Sequence, residues 1–558
     1  MVKIVECVPN FSEGRDPVKI KAISDAIDAV DNVKLLDVDP GKDTNRTVIT
    51  FVGDPEHVLE AAFQGIKAAS EVIDMQNQTG AHARMGATDV CPFVPVSGMT
   101  MDECSDLARR LGKRVGDELG IPVFLYEAAA SVPERENLAD IRAGEYEGLE
   151  QKLKDPQWKP DFGPAEFNAR SGATVIGARE FLIAYNINLN TRNTQIAKEI
   201  AFTIREKGRL KRDNNRKIVR DENGTALRVP GKFTNCKAVG WYMEDFGRAQ
   251  VSMNLTNYKI TPPNVVFDEC CRLAESMGAR VTGSELVGLI PLDALKNAGT
   301  YYLQKQGKPT GVPESELIHI AVLSMGLGDL YTFEKEKKVI EYQLERHDEL
   351  TGMRVDEFAD VLSTDAPAPG GGSVASLCGA LSSALSAMVA ALTFDKKGYE
   401  SVRDDMDALG PEAQALKMEF IRDVDRDTEA FNSIMDAMRL PKKTDGEKAR
   451  RNEAIMEATK GATMVPFDVL TRSKRAAELA HKVAENGNKN SVSDAGVAAL
   501  CARTAAEGAY LNVIINLTGI DDEAFCKTTR EKALALRDEV IQTAGKTAAL
   551  TEKIISNE

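Results

Sequence analysis

The sequence predicts a multidomain protein of class α/β plus all-α: two α/β sandwich subdomains with mixed or antiparallel sheets, followed by a helical-bundle domain. Three observations predict it. Strand-like and helix-like segments alternate through the first half of the chain. A charged joint then runs from Glu334 to Arg354, with stretches such as Glu334-Lys335-Glu336-Lys337-Lys338. From Val355 on, strand signals nearly vanish, and Ala, Leu, Met, Glu, Asp and Lys dominate at helical spacing. The expected domains are therefore residues 1–180, 181–333 and 355–558, with a linker at 334–354.

Each element has its own warrant. Lys3–Val8, Val33–Val38 and Arg46–Val52 read as strands, rich in β-branched residues. Pro55–Asp74 has helical periodicity and follows Asp54, a residue suited to capping a helix start. Strand Val90–Val96, helix Met101–Leu119 and strand Pro122–Tyr126 continue the alternation. The second subdomain opens on strand Phe181–Leu189 and helix Gln195–Lys207. Strands Ala238–Tyr242 and Ala249–Leu255, helix Pro263–Met277 and strand Ala279–Thr282 follow. In the helical half the many alanines let helices approach closely, within the chain or against a second copy.

Composition narrows the function. The 558 residues carry a net charge of -15, which argues against nucleic acid as a partner. Nine cysteines are scattered with no C-x-x-C pair, which fits a reducing, cytoplasmic setting and gives no metal-site signal. The N-terminal residues show no signal-peptide pattern. Ala366–Phe394 carries no charge and is long enough to span a bilayer, but its glycines and serines favour a closely packed buried helix, so no membrane partner is expected.

Among five histidines, His82 stands out. Gly80 and Gly86 flank it, Arg84 follows two residues later, and a strand lies just downstream. A loop histidine beside a cation suits proton transfer near neutral pH, although a hydrogen-bonded structural histidine fits the same spacing.

Longer motifs bring a resemblance. Val5-Glu6-Cys7-Val8-Pro9-Asn10-Phe11-Ser12-Glu13-Gly14, Thr44-Asn45-Arg46-Thr47, the His82 loop and Gly172-Ala173-Thr174-Val175-Ile176-Gly177-Ala178-Arg179 resemble the glutamate formiminotransferase family. Ala368-Pro369-Gly370-Gly371-Gly372-Ser373, Asp425-Arg426-Asp427-Thr428-Glu429-Ala430-Phe431, Leu440-Pro441-Lys442, Ser493-Asp494 and Gly508–Val513 resemble the formiminotetrahydrofolate cyclodeaminase family. Together they imply a fused enzyme of histidine breakdown. Such an enzyme moves a formimino group from N-formimino-L-glutamate to tetrahydrofolate. It then closes 5-formiminotetrahydrofolate to 5,10-methenyltetrahydrofolate with release of ammonia. The resemblance implies tetrahydrofolate as co-substrate, polyglutamylated, with no metal and no nucleotide, and a homo-oligomer formed through the helical domain.

The resemblance places the transferase's catalytic histidine at His82 and the cyclodeaminase acid at Asp427. Ala83 stands where the family usually has proline, which loosens the loop. Arg46 and Arg84 suit bidentate binding of substrate carboxylates. Asp39 suits orienting His82 or accepting from an amine, and Asn10, inside the N-terminal motif, is counted with them. Surface ion pairs and a turn carboxylate are the plainer alternatives for these charges. The family's pterin-binding segment aligns with Gly163–Gly172, which brings in Gly163, Pro164, Asn168, Gly172 and the following Ala173. A plain connector fits that loop equally. Asp425 lies two positions before Asp427, so on a helix the two carboxylates point different ways. Gly371-Gly372-Ser373 lacks the Gly-Lys-[Ser/Thr] of a phosphate loop and reads as a turn feeding a helix N-terminus, whose amides suit a polar group of folate. The basic stretch Arg205–Lys232 suits a grip on a polyglutamate tail or a solvated hairpin. Two other functions stay open: a transferase with a non-catalytic helical oligomerisation domain, and a non-enzymatic folate-binding scaffold.

Overall fold

The computed structural model describes residues 3–42, 44–80, 83–244, 246–344 and 350–556. His82 lies outside the described residues. The chain forms two compact units: Met1–Ala294 with Met325–Gln343, and Leu295–Ser324 with Leu344–Glu558.

The first unit holds both sheets. Its mixed seven-stranded sheet comprises β1 (Ile4–Cys7), β2 (Asn10–Phe11), β3 (Val33–Gly41), β4 (Arg46–Gly53), β5 (Thr88–Ser97), β6 (Val123–Glu127) and β7 (Thr174–Ala178). β1 and β2 follow one another in the same lane between β4 and β5. β3 pairs with the far side of β4, and β7 and β6 extend the sheet in parallel beyond β5. Strand alternation sorts the side chains. Cys7 pairs across to Phe51 and Phe93, and all three sink into a core with Val5, Ile49 and Cys91. Helices α1 (Pro17–Asp28), α2 (Pro55–Val72) and α3 (Met101–Leu119) cover that face with Ile23, Ile27, Ile66, Leu107 and Leu111. The residues in between, Glu6 on β1, Val8 in the connection, Asn10 on β2, and Arg46, Val48 and Thr50 on β4, face the other way and line a cleft.

The helix ends follow local chemistry. Asp54 Oδ1 accepts from the Glu56 and His57 amides at 3.2 and 3.3 Å, with Pro55 opening α2. Thr100 and Glu103 form a capping box on α3, which ends at Gly120 with φ +62°.

The second sheet is four-stranded and antiparallel, in the order β11 (Cys236–Met243), β12 (Arg248–Leu255), β8 (Ile183–Leu189), β13 (Val281–Val287). Tyr185 and Ile187 face Met253 and Val251 across β8 and β12, and α4 (Thr194–Ile204) and α5 (Pro263–Ser276) pack on this sheet. The basic stretch forms a ribbon around β9 (Arg209–Leu210) and β10 (Arg228–Val229), with a turn at Gly224. Several of its cations have partners: Arg209 pairs with Glu199, Lys232 with Glu269, and Arg212 and Arg220 donate to carbonyls of their own turns.

Around the junction of the two units the chain passes between them. Residues 295–324, most of α6 (Leu292–Lys305) and α7 (Glu314–Met325), belong to the helical unit. Their connecting turn fits against α9 (Arg403–Arg439): Asp407 Oδ1 accepts from the Thr310 amide and hydroxyl at 2.9 and 3.0 Å, and Gly311 meets Gly410 backbone to backbone. The expected linker 334–354 is helical over Lys335–Lys338 and Ile340–Leu344, and its first part docks on the first unit, where the Ile290 amide donates to the Lys338 carbonyl at 2.9 Å.

The helical unit continues with α8 (Gly371–Phe394), α9, α10 (Asp445–Asn486), α11 (Val492–Leu517) and α12 (Glu523–Ser556). Small residues set the helix spacing. A Cβ on Gly379 would lie 2.4 Å from the Phe420 ring, and Ala476, Ala477, Ala502, Ala506 and Ala509 are fully buried. α8 is long and apolar enough to cross a membrane, yet half of that window is buried in the protein. Ser376, Ser383 and Ser386 on it are buried and donate to carbonyls four residues back.

Candidate active sites

The open face of the first sheet forms one wall of a cleft of about 810 Å³. Asn10, Asp39 and Arg46 line it, as does Ala83, the residue after His82. Lys237, Asn254 and Asn257, from the region of the second sheet, also line it. The strand alternation that buries Cys7 and Phe51 is what turns Glu6, Asn10 and Arg46 into this space.

Burial controls the charges here. Glu6 is 2% exposed, and desolvation pushes its carboxyl up to about 8; Arg179 opposes the shift and Glu341 adds to it. Asp37 is also raised, by burial and then by Asp39, against Lys338 and the Val38 amide. Burial and the nearby Arg142 lower Arg46, partly offset by Asp89 and Asp39. Asp89 is fully buried and raised by desolvation, while Arg142 and the Met85 amide (3.0 Å) pull it back.

The sequence-derived residues divide into two groups. Asn10, Asp39 and Arg46 reach the cleft. Arg84 does not: its guanidinium is spent on the Gln78 side chain, Glu145 and Glu147, at 2.6, 3.1 and 2.7 Å. It fastens the loop after His82 to Gln78 and to the Glu145–Glu147 segment, so its charge is already paired. None of Gly163, Pro164, Asn168, Gly172 and Ala173 is among the cleft-lining residues. Gly163 packs on Gly116 of α3 and Pro164 is exposed. Asn168 closes its own turn, accepting from the Ser171 amide at 2.9 Å. Gly172, at φ +66°, would place a Cβ 2.1 Å from the Met85 carbonyl, to which the Ala173 amide donates. This segment therefore props the loop that follows His82. The cleft also holds Glu6, Tyr126, Arg142, Arg179 and Lys237, which sequence reasoning passed over. Glu6 carried a signal, an acid inside the apolar run Ile4-Val5-Glu6-Cys7-Val8.

In the helical unit, Asp427 projects from α9 to the start of α8. Ser373 Oγ lies 3.4 Å from Oδ2 of the Asp427 carboxylate. That hydroxyl donates to the Val424 carbonyl at 2.9 Å. Burial raises the Asp427 carboxyl and the two Ser373 groups lower it. Asp425 points elsewhere, accepting from the Leu350 amide and Thr351 hydroxyl at 2.9 and 2.8 Å, as their spacing on a helix requires. Gly371 and Gly372 lie at the opening of α8, with Asn512 of α11 beside Gly371. Asn512 lines a hollow of about 490 Å³ with Leu511, Ile514, Ile515 and Thr518. Ser373 is fully buried, and its hydroxyl lies beside the chain's own Asp427. Among the described residues no cluster of three or more His, Cys, Asp or Glu has the geometry to hold a metal.

Three family models match the chain: "Formiminotransferase domain, N-terminal subdomain" over residues 4–179, "Formiminotransferase domain" over 184–345, and "Formiminotransferase-cyclodeaminase" over 354–535. A formimidoyltransferase-cyclodeaminase of Dictyostelium discoideum is 41% identical over 100% of this chain and 99% of its own length. A glutamate formimidoyltransferase of Thermoplasma acidophilum is 47% identical over 56% of this chain and 95% of its own. A methenyltetrahydrofolate cyclohydrolase of Methylorubrum extorquens is 40% identical over 36% of this chain and 93% of its own.

Proposed function

This chain belongs to the formimidoyltransferase-cyclodeaminase family, and from that premise we propose how its two units divide the chemistry. It is a folate-dependent bifunctional enzyme, a glutamate formimidoyltransferase joined to a formimidoyltetrahydrofolate cyclodeaminase. It acts on tetrahydrofolate and a formimino donor.

In our reading the transfer occurs in the cleft of the first unit. N5 of tetrahydrofolate attacks the formimino carbon of N-formimino-L-glutamate, and the glutamate nitrogen leaves. One proton comes off the attacker and one goes onto the leaving group, and His82 carries both. An imidazole with an ordinary pKa of about 6.5 can take and return a proton near neutrality. The supporting observation is that Ala83, next to His82, lines the same cleft as Asn10, Asp39 and Arg46. Arg46 offers a planar fork to a substrate carboxylate, and Asp39 faces the amine side. Cyclisation takes place at Asp427 in the helical unit, where the product is a delocalised cation and the departing nitrogen needs a proton.

Two variants test this division. Asp427→Asn is expected to abolish cyclisation and leave glutamate release intact, and His82→Ala to do the reverse when 5-formiminotetrahydrofolate is supplied. If either variant lost both activities together, the assignment of one site per unit would fail.

Two companion readings belong here. The folate carries a polyglutamate tail held by the basic stretch Arg205–Lys232; unchanged affinity for long-tailed folate after neutralising Arg209, Lys211 and Arg212 would remove that idea. The chain forms a homo-oligomer through the helical unit, as the exposed apolar side chains of α8 and α11 support. Its nine cysteines, all unbridged, support a reducing cytoplasmic setting. A second chemical reading comes from the Methylorubrum relative: the helical unit goes on to add water to the methenyl ring. Decay of the methenyl absorbance faster than in buffer would favour it.

A further inference from the structure

We propose that Gly372 and Ser373, at the opening of α8, are positioning residues for Asp427, holding its carboxylate in the one place from which it can carry a proton between the two nitrogens of the cyclisation. This rests on the reading of the helical unit as the cyclodeaminase.

The first argument is space. A Cβ built on Gly372 would lie 2.0 Å from Asp427 Oδ1, 2.4 Å from its Cγ and 2.5 Å from Oδ2. The volume that any other side chain would fill is thus occupied by the carboxylate itself. The backbone does not otherwise demand glycine, because Gly372 sits within the helix and is absent from the positive-φ positions. By contrast, a Cβ on Gly370 would meet nothing within 4 Å.

The second argument is direction. The Ser373 hydroxyl, in the first turn of α8, lies 3.4 Å from Asp427 Oδ2. The first amides of a helix have no partner within it, so a carboxylate placed there gains from the positive end of the helix dipole. The same hydroxyl donates to the Val424 carbonyl, three residues before Asp427 on α9. Ser373 is fully buried, so this link does not compete with solvent. It ties the first turn of α8 to the segment of α9 that carries the acid.

The third argument is the proton. N10 attacks the carbon of the formimino group, which is protonated on its nitrogen, and the N10–C bond forms. The N10 proton passes to Asp427 and then to the amino nitrogen. The C–N bond breaks, ammonia leaves, and the charge of the amidinium becomes that of the methenyl ring. No net proton and no further reactant are needed. The shuttle must be ionised to accept and must then release readily. Burial raises the Asp427 carboxyl, and the Ser373 donors hold that rise in check. The other acids in this stretch of α9 are already committed: Asp423 to Arg426 and Arg472, and Asp425, on another face, to the Leu350–Thr351 turn.

Four measurements on the full chain test the proposal. Gly372→Ala is expected to lower kcat of cyclisation by about 100-fold with KM little changed, since misplacement of a reacting group by about 1 Å costs that much. In an Asp427→Ala background the same substitution is expected to cost nothing further, the mark of two residues acting as one. Ser373→Ala loses the hydroxyl that ties the first turn of α8 to the Val424 carbonyl, so kcat of cyclisation is expected to fall with KM little changed. A crystal structure of Gly372→Ala, with glutamate release as the check on the other unit, is expected to show the carboxylate displaced from the first turn of α8. A Gly372→Ala variant with wild-type kcat, or a carboxylate unmoved from that turn, would overturn the proposal. If wild-type protein formed no methenyl product, the cyclodeaminase reading would fall, while the crystal structure would still decide the positioning claim.

Discussion

Glu6 shows how one buried acid couples the sheet to its cleft. Desolvation on β1 pushes its carboxyl up to about 8, so the folded protein prefers the neutral form. A group raised above its unfolded value contributes stability that is complete below the unfolded pKa, about 4.3, and is lost as pH climbs through the folded one. The window is therefore about pH 4 to 8. Glu6→Gln stays neutral throughout. Its first unit is expected to match wild type near pH 4 and to exceed it near pH 9 by on the order of a few kcal/mol. Parallel denaturation curves at the two pH values, with a constant difference between variants, would show that Glu6 is ionised in the fold.

At the scale of elements, the ends of helices and the faces of strands were the legible part. The sequence predicts α3 at Met101–Leu119, and the structure has it there, because a capping box opens it and Gly120 closes it. Asp54 caps α2 as its side-chain chemistry required. Removing that cap with Asp54→Ala is expected to cost about 1 kcal/mol in thermal or urea unfolding of the first unit, and no change at all would mean that water replaces it. Other elements escaped notice. α1 carries Ile20, Ile23 and Ile27 at helical spacing, but β-branched residues blur helix and strand signals. β7, five residues long, was read as part of a motif and not as a strand. α6 and α7 follow the last strand of the second sheet, yet fold with the helical unit, because their partner Asp407 is 97 residues from Thr310 and no local pattern announces it. The candidate sites divide in the same way. Asn10, Asp39 and Arg46 could be placed because strand alternation turns them to one face. Arg84 could not, since its partners Glu145 and Glu147 come from more than sixty residues away.

At the scale of the whole molecule, the helical unit leaves apolar surface uncovered. Leu511 and Ile515 on α11 are each 66% exposed, one helical turn apart, and Leu381 and Leu392 on α8 are about half exposed. Burying a side chain of this size gains about 1.5–3 kcal/mol, so a few of them contribute appreciably to association. Replacing Leu511 and Ile515 together by Glu is expected to shift the protein to a smaller species by light scattering. An unchanged mass would place the contact elsewhere.

The central claim is that one chain performs both folate reactions. Purified protein with tetrahydrofolate and N-formimino-L-glutamate tests it in a single assay, following methenyltetrahydrofolate by its near-ultraviolet absorbance and ammonia by a coupled reaction. The account predicts that both products rise together. Glutamate release without methenyltetrahydrofolate or ammonia would contradict it and leave a transferase whose helical unit is silent.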